Sequence, residues 1–213
     1  MIIGFCGKAG AGKSEITQYL CHKYFTHPAS FADPLRLLLM PVLALVFRGD
    51  EDKVNYYLQQ GKDKEIGVFR CTVRTLMCDF GTSMRQHNEN VFVDLMRKKI
   101  SMIQEVYRER MASEDITVPI IIDDVRYDNE AAMIKQQGGT IIKIERREED
   151  LRKVPAHSSE NGIDVSYIDL SVTNDGSLLS LHSLADSLAT FYELEGARPV
   201  FLKETNYDSQ LVH

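Results

Sequence analysis

The eight residues Gly7-Lys8-Ala9-Gly10-Ala11-Gly12-Lys13-Ser14 constrain the fold of this chain more than any other stretch. Glycine at the first and sixth positions, followed by lysine and serine, is the pattern of a phosphate-binding loop. Glycines let the backbone curl so that its N–H groups bind phosphate oxygens, where a Cβ atom would obstruct them. The pattern predicts that Lys13 reaches the β- and γ-phosphates of a nucleotide and that Ser14 completes the shell of a Mg²⁺ ion.

The residues on either side of this phosphate loop fit the context that the motif requires. Residues 1–6 form a short apolar run, which is typical of a buried parallel strand. After the loop, Ile16, Tyr19, Leu20 and Tyr24 recur at helical spacing. A strand, a glycine-rich loop and a helix are therefore expected in this order, which leaves a flexible turn with a chance lysine as the weaker interpretation.

Strands and helices alternate along the rest of the chain. Apolar runs predict strands at 1–6, 29–32, 118–122, 140–144 and 168–172. Capping residues and apolar spacing predict helices that begin at Asp33, near Thr72, at Asn88 or Asn90, at Asn129 and near Ser177. This alternation is typical of an α/β fold, and we expect three layers, with a parallel sheet of about five strands flanked by helices.

Several residues modify this outline. Pro41 lies within the second predicted helix and is expected to kink or split it. Gly81 is expected to end the helix in which it lies. Residues 50–69 are charged and weakly periodic, so we expect a surface insertion with one short helix. No internal repeat or second domain is evident, and we expect a single domain over residues 1–213.

The composition excludes some classes of protein. A hydrophobic content of 44% and a charged content of 26% are typical of a soluble globular protein. The net charge of −6 argues against a nucleic-acid polymer as partner, since proteins that bind one usually carry a basic surface. No apolar run has the length of a signal peptide or a membrane span. The four cysteines form no Cys-x-x-Cys pair, so we expect reduced thiols and a cytoplasmic setting.

Polar residues follow several predicted strands at their carboxyl ends, where parallel sheets bind ligands. Asp33, Asp124 and Asn174 each follow a strand, so they are expected to meet the phosphate loop along one sheet edge. An aspartate at this edge can hold Mg²⁺ or its waters opposite the serine. Asp123 and Asp124 point to opposite faces of a regular strand, so only one of them can do this. Either of them could instead cap a helix or a turn.

Arginines are the other candidates for phosphate chemistry. Arg126 closely follows a strand, and Arg146 and Arg147 open a polar loop at 146–164. Arginines on a closing loop stabilise the charge of a phosphoryl group during transfer, although the acidic neighbours of Arg146 also permit a solvated run of charges. Three further arginines could clamp the phosphate of a second substrate or form surface salt bridges: Arg36, Arg74 and Arg85.

Several segments, taken in order, resemble a known family. They are Phe31-Ala32-Asp33-Pro34-Leu35-Arg36, the spaced motif from Arg74 to Gly81-Thr82 and Arg85, Asp124-Val125-Arg126-Tyr127, His157 with Ser159-Glu160, and Thr173-Asn174-Asp175-Gly176-Ser177. Their joint order resembles the deoxynucleoside monophosphate kinases of tailed bacteriophages, from about residue 2 to residue 190. The resemblance implies a P-loop kinase of the nucleoside-monophosphate-kinase fold, which transfers the ATP γ-phosphate to a deoxynucleoside 5′-monophosphate in the cytoplasm of the host.

The resemblance also implies roles for particular residues. Residues 7–14 would bind ATP, with Lys13 catalytic, while Ser14 and Asp124 would hold Mg²⁺. Arg126 and Arg146 would bind the phosphates that are joined, and Asn174 would lie near the adenine. An insertion at about 34–112 would bind the acceptor through Asp33, Arg36, Arg74, Arg85 and Arg126, and residues 146–164 would form a lid. The expected partner is the monophosphate substrate, without nucleic-acid polymer or membrane, and a homodimer is left open.

Two departures from the family pattern leave the accepted base open. Related sequences often carry glutamine where this chain has Cys78, and tryptophan where it has Phe92. The chemistry itself needs no general base, because a nucleotide 5′-phosphate is mostly a dianion at neutral pH and already nucleophilic. An acceptor hydroxyl would need a carboxylate, so Asp33 beside a hydroxyl would favour a dephospho-coenzyme A kinase-like activity. A nucleotide switch or ATPase is a further alternative, although the Asn-Lys-x-Asp base reader of GTP switches is missing.

Overall fold

The computed structural model describes residues 1–111, 117–147 and 162–194. The chain divides into two compact units. One comprises residues 1–30 together with the chain from residue 98 onward, and we call it the sheet unit. The other comprises residues 31–97, and we call it the insert unit. The single domain with an insertion at about 34–112 stays a prediction.

The sheet unit is built on five parallel strands in the order β2-β5-β1-β6-β7. Their bounds are β1 Ile2–Cys6, β2 His27–Ala29, β5 Ile120–Ile122, β6 Thr140–Glu145 and β7 Leu170–Thr173. In the register of the central strand, Ile3 pairs with Ile121 on one side and Thr140 on the other. The predicted parallel sheet of about five strands is confirmed.

Helices cover both faces of this sheet. They are α1 Lys13–Lys23, α6 Asp128–Gln136 and α7 Leu178–Phe191, and a 3₁₀ turn spans Val165–Tyr167. Ile3 and Phe5 of β1 share one apolar core with residues of α1 and α7, such as Leu20 and Ala185. Gly4 faces the opposite side, where a Cβ atom would lie 2.7 Å from Ile134 Cδ1 of α6. Because β1 is buried on both faces, its sequence is a continuous apolar run, and the three-layer arrangement is confirmed.

The insert unit has a core of its own. It contains α2 Asp33–Val46, α3 Glu51–Gln59, an antiparallel pair of β3 Glu65–Ile66 with β4 Cys71–Thr72, and α4 Val73–His87. Its core consists of Leu39, Leu43, Val54, Leu58, Ile66 and Val73. The expectation of a surface insertion at 50–69 is therefore wrong in part, since three residues of that segment belong to this core. The helix α5, Val91–Met111, crosses the boundary between the units at Arg97 and Lys98.

Two helices continue through residues that were expected to interrupt them. Pro41 does not split α2, because Leu39 and Leu43 on either side of it are buried in the same core and hold both turns in place. Gly81 does not end α4, which continues to His87. The third difference is β2, which ends at Ala29 rather than extending to residue 32. Within the described ranges, no helix combines the length and apolar character needed to cross a membrane.

Candidate functional site

The phosphate loop connects β1 to α1 at the carboxyl end of the central strand. Lys13 is the first residue of α1 and is largely buried. Its ammonium group donates hydrogen bonds to the carbonyl oxygens of Gly7, at 2.7 Å, and Lys8, at 2.9 Å. The lysine therefore lies folded over its own loop, with its charge at the N-terminus of a helix, where anions bind.

Two positions of the loop need glycine for steric reasons. Gly7 has φ +130°, and a Cβ atom there would lie 2.3 Å from the carbonyl oxygen of Ile144 on β6. Gly12 has φ +103°, and a Cβ atom there would lie 2.6 Å from the amide nitrogen of Asn174. Both values of φ are strained for any residue with a side chain. The glycine pattern thus reflects the close approach of the loop to the neighbouring strands.

Two aspartates follow β5, the strand next to the loop. The hydroxyl of Ser14 donates a hydrogen bond of 2.7 Å to the carboxylate of Asp123. Asp124 is buried, and its carboxylate accepts a hydrogen bond of 2.5 Å from the hydroxyl of Ser30. The metal-side carboxylate named from the resemblance is Asp124, whereas the residue that contacts Ser14 is Asp123. A regular strand turns consecutive side chains to opposite faces, and the geometry favours Asp123 of the two alternatives.

The donor set around Ser14 fits a magnesium ion. Mg²⁺ prefers oxygen ligands and is usually held by one or two carboxylates together with substrate phosphates. The Ser14 hydroxyl and the Asp123 carboxylate supply two such oxygens next to the phosphate loop. Within residues 1–111, 117–147 and 162–194, no group of three or more His, Cys, Asp or Glu side chains could hold a metal by itself. A metal held jointly with a nucleotide is therefore the kind that this site suits.

Asn174 joins the last strand of the sheet to the phosphate loop. It is buried, its side-chain amide donates to the carbonyl of Ala11 at 2.9 Å, and its backbone N–H donates to the carbonyl of Glu145 at 2.7 Å. The hydrogen bond to the loop shows a structural role for this side chain. The predicted position near the adenine stays a prediction.

A pocket of about 250 Å³ opens beside the loop. Arg146 lies on its wall, with Nη1 3.3 Å from the carbonyl of Gly10. Its Nε is buried and has no hydrogen-bond partner among the residues that the structure describes. A side chain with such an unsatisfied donor is poised for a ligand or a water. The residues that line the pocket are Gly12, Glu15, Arg146, Asn174, Gly176, Ser177, Leu178 and Leu181.

Arg126 lies shortly after β5, at the same sheet edge as the two aspartates. Its backbone N–H and that of Tyr127 donate to the carboxylate of Glu130, at 2.8 and 3.2 Å. Glu130 is almost completely buried at the start of α6, so it fixes the backbone on which Arg126 is carried. The sequence motif around Arg126 is thus partly a helix start.

The remaining predicted site residues lie in the insert unit. Arg36 donates to the carboxylate of Asp33 at 2.6 Å. Arg74 binds Asp63 through both Nε and Nη2, in a bidentate ion pair. The guanidinium carbon of Arg85 lies 4.4 Å from the centroid of the Phe92 ring. Asp33 belongs to a different unit from the phosphate loop, so its meeting with the loop at one sheet edge stays a prediction.

Some contacts of the site could not be found in the sequence. The partners are distant in the sequence: Ser30 lies 94 positions from Asp124 and Asp63 lies 11 positions from Arg74. Phe92 lies 7 positions from Arg85. No local motif connects the members of these pairs. Glu15, which lines the pocket, could have been found from the sequence, since it directly follows the serine of the phosphate-loop motif. His157 and most of the lid at 146–164 lie outside the described residues.

Burial also affects two thiols of the sheet unit. Cys6 is the last residue of β1, and burial raises its pKa above the usual value. Burial raises the pKa of Cys21 to about 11, against a smaller opposing effect of the hydrogen bond from Thr26. Both therefore remain neutral thiols at physiological pH, and neither is suited to be a nucleophile.

A phosphate loop that joins the central strand of a parallel five-stranded sheet to a helix defines a P-loop nucleotide-binding fold. Within that class, the chain belongs to the deoxynucleotide monophosphate kinase family, because residues 45–184 match the family model of that description. The predicted family is thereby confirmed, and the protein is a kinase. The phosphate loop precedes the matched residues and supports the same class independently.

Individual proteins resemble the chain more distantly. A protein of Acanthamoeba polyphaga mimivirus, provisionally described as a deoxynucleotide monophosphate kinase, is 29% identical over 148 residues, which cover 68% of this chain and 74% of that protein. An unliganded sugar kinase of Janibacter sp. HTCC2649 has a TM-score of 0.41 and 11% identity, with coverage of 92% and 96%. TT1252 of Thermus thermophilus has a TM-score of 0.39 and 16% identity, with coverage of 89% and 97%. Likenesses at these TM-scores do not bear on function.

Proposed function

We propose that this kinase transfers the γ-phosphate of ATP to the 5′-phosphate of a deoxynucleoside monophosphate and yields the diphosphate, with the assistance of Mg²⁺. The observation that carries the proposal is the grouping of Lys13, Ser14 and Asp123 at the phosphate loop. Membership in the deoxynucleotide monophosphate kinase family supports the choice of acceptor.

The proposed role of Lys13 is to stabilise charge on the phosphates. Its ammonium group bonds to two loop carbonyls, which hold it within the loop that would surround the phosphates. On nucleotide binding, these hydrogen bonds would be exchanged for stronger, charge-assisted ones to phosphate oxygens. A preorganised cation of this kind costs little reorganisation when charge develops in the transition state.

Ser14 and Asp123 are the residues that would hold Mg²⁺ together with ATP. The ion would supply neutralisation of the phosphate charge when bound. The serine hydroxyl already donates to the carboxylate and would turn its oxygen lone pairs toward a cation. Asp124 would instead fix the end of β2 relative to β5 through Ser30.

We assign the pocket beside the loop to the ATP base. Its volume of about 250 Å³ and its mixture of Asn174, Ser177 and Leu181 suit a planar ring with polar edges. Arg146 forms one wall, so its guanidinium could act on the base as well as on the phosphates. Asn174 would serve indirectly, because it holds the loop carbonyl of Ala11.

We assign the acceptor to the insert unit and to Arg126. No proton acceptor is needed there, because the attacking 5′-phosphate is already a dianion. Binding and alignment of two anions are then the main tasks, and arginines suit them through bidentate hydrogen bonds. Asp33 already accepts a hydrogen bond from Arg36, which gives less support to a role as the base for a hydroxyl acceptor.

The proposal is tested by offering the protein Mg-ATP with a panel of acceptors. The panel contains the four deoxynucleoside monophosphates, the ribonucleoside monophosphates, deoxynucleosides and dephospho-coenzyme A, and products are separated by anion-exchange chromatography. We expect ADP to form only with deoxynucleoside monophosphates, in equal amount to the new diphosphate. Slow ATP hydrolysis that is indifferent to every acceptor would overturn the proposal in favour of a nucleotide switch.

A further inference from the structure

One face of α4 carries two of the arginines that we assign to acceptor binding. Arg74, Cys78, Gly81 and Arg85 are spaced by four, three and four positions, so they lie along one side of the helix. Arginines stand at the two ends of this row, and the residues between them are small. At Gly81, the absence of a side chain lets Arg85 and Leu35 approach the helix closely.

The arginine at the C-terminal end of the row lies against an aromatic ring. The guanidinium carbon of Arg85 is 4.4 Å from the centroid of Phe92, within the range of a cation–π contact. Phe92 is only 2% exposed, so its ring is held by the core and cannot follow the arginine. Stacking on such a ring restricts the planar guanidinium to a small set of orientations.

Gly81 removes an obstacle one turn before Arg85. A Cβ atom at this position would lie 3.2 Å from Arg85 Nη1 and 3.4 Å from Leu35 Cδ1. Glycine in the interior of a helix is unfavourable, and alanine would suit the helix better. Space for the guanidinium is a physical reason for glycine at this position of a continuous helix.

Two other arginines of the insert unit contact carboxylates. Arg74 and Arg36 are each held by a carboxylate, Asp63 and Asp33. A carboxylate orients a guanidinium but also offsets its charge, whereas an aromatic ring orients it and adds no negative charge. The Phe92 ring thus contributes to the orientation of Arg85 and adds no negative charge of its own.

We propose that Phe92 is a positioning residue, which orients Arg85 toward the 5′-phosphate of the acceptor in the space that Gly81 leaves. This inference rests on the proposed function and adds to it the residue that controls the strength of acceptor binding. The presence of phenylalanine at position 92, where related sequences often carry tryptophan, would then affect binding of the acceptor phosphate through Arg85.

The first test replaces the ring while an apolar side chain is kept. In Phe92→Leu, we expect the KM for the deoxynucleoside monophosphate to rise about tenfold, while the KM for ATP stays within twofold of the original. In Phe92→Trp, which restores an aromatic face, we expect the acceptor KM to return to within about threefold. The control is Val93→Ala, which perturbs the adjacent buried position of α5 without touching the ring.

The second test uses Gly81→Ala, which separates positioning from stability. Alanine favours the helix, so we expect the melting temperature to stay equal or rise. The acceptor KM should nevertheless rise several-fold, because the new Cβ atom displaces the guanidinium. A merely structural role of this region would make stability and binding change in the same direction.

A double-mutant cycle decides whether Phe92 acts through Arg85. Once Arg85→Ala has removed the guanidinium, we expect Phe92→Leu to raise the acceptor KM by less than twofold further. Full additivity, or an equal effect of Val93→Ala, would overturn the inference. If the unmodified enzyme phosphorylates deoxynucleoside monophosphates but Arg85→Ala leaves the acceptor KM unchanged, the inference is also overturned. Absence of that activity in the unmodified enzyme would instead refute the proposed function.

Discussion

Single residues at the phosphate loop account for most of the expected chemistry. Lys13 combines burial, a position at a helix N-terminus and two hydrogen bonds to loop carbonyls. Asp123 and Asp124 are neighbours in sequence but have different partners, Ser14 and Ser30. Two identical residue types thus acquire different roles from the direction in which the strand turns them.

For Lys13→Ala, we expect turnover to fall by about 10²-fold or more, because a preorganised charge stabiliser is lost. The measurement is kcat with saturating Mg-ATP and a deoxynucleoside monophosphate. The control is Lys23→Ala, which removes the same charge from the other end of α1, where the side chain is solvent-accessible. Near-normal turnover in Lys13→Ala would contradict the role assigned to it.

The two aspartates give a matched pair of variants. We expect Asp123→Asn to lower kcat by about 10²-fold and to raise the Mg²⁺ concentration needed for half-maximal rate, because a carboxylate ligand is lost. Asp124→Asn should have the smaller effect on Mg²⁺ dependence, since an amide oxygen can still accept the hydrogen bond from Ser30. The reverse order of the two effects would show that Asp124 serves the metal.

The buried thiols should react slowly with alkylating reagents. Because the pKa of Cys21 is raised to about 11, its thiolate fraction at pH 8 is roughly 10⁻³ and rises about tenfold per pH unit up to that pKa. We expect iodoacetamide at pH 8 to label Cys21 and Cys6 far more slowly in the folded protein than in urea. Mass spectrometry of the peptides measures this, and equal labelling in both states would refute it.

At the scale of elements, the phosphate loop depends on strands that are distant in sequence. Gly7 packs against the backbone of β6, and Gly12 against Asn174, which follows β7. Asn174 in turn binds the carbonyl of Ala11. The shape of the loop is therefore determined jointly by its glycines and by the strands beside it.

Removal of the Asn174 amide tests this dependence. In Asn174→Ala, the carbonyl of Ala11 loses its buried donor, and we expect a loss of stability of about 1–3 kcal/mol. The KM for ATP should rise with it, while the acceptor KM should change little. Thermal unfolding and steady-state kinetics measure the two effects. Ser171→Ala on the exposed side of β7 is the control and should change neither.

At the scale of the whole molecule, the chain forms two compact units, and each contains a hydrophobic cluster of its own. The core of the insert unit is small, and half of its members come from the segment 50–69, which is rich in charged residues. A small core contributes limited stability. Local opening of the insert unit is therefore expected at a lower free energy than opening of the sheet.

A substitution that creates a cavity in the core of the insert unit should reveal this difference in the free energy of opening. Leu43 is fully buried, and Leu43→Ala should destabilise its surroundings by about 2–5 kcal/mol. We expect hydrogen exchange to accelerate in residues 31–97 and to remain nearly unchanged in β1 and β6. An equal loss of protection in both units would show that they unfold as one.

The strands and the buried helix faces could be predicted with little loss. Residues 1–6 and 118–122 are apolar runs, and the face of α5 formed by Phe92, Met96, Ile100, Ile103 and Tyr107 is buried as its spacing indicates. The errors lie where burial outweighs a local signal. Pro41 and Gly81 are unfavourable within helices, yet both helices continue through them, and buried leucines on either side of Pro41 account for the first case.

By itself, the sequence determined the α/β class, the phosphate loop and the family, because each of these depends on short local patterns and on their order along the chain. Only the tertiary structure decided which aspartate faces Ser14, what Asn174 holds and which ring lies under Arg85. Those contacts join residues of different elements, and their geometry depends on the register of the strands and on the packing of helices, which no local pattern contains.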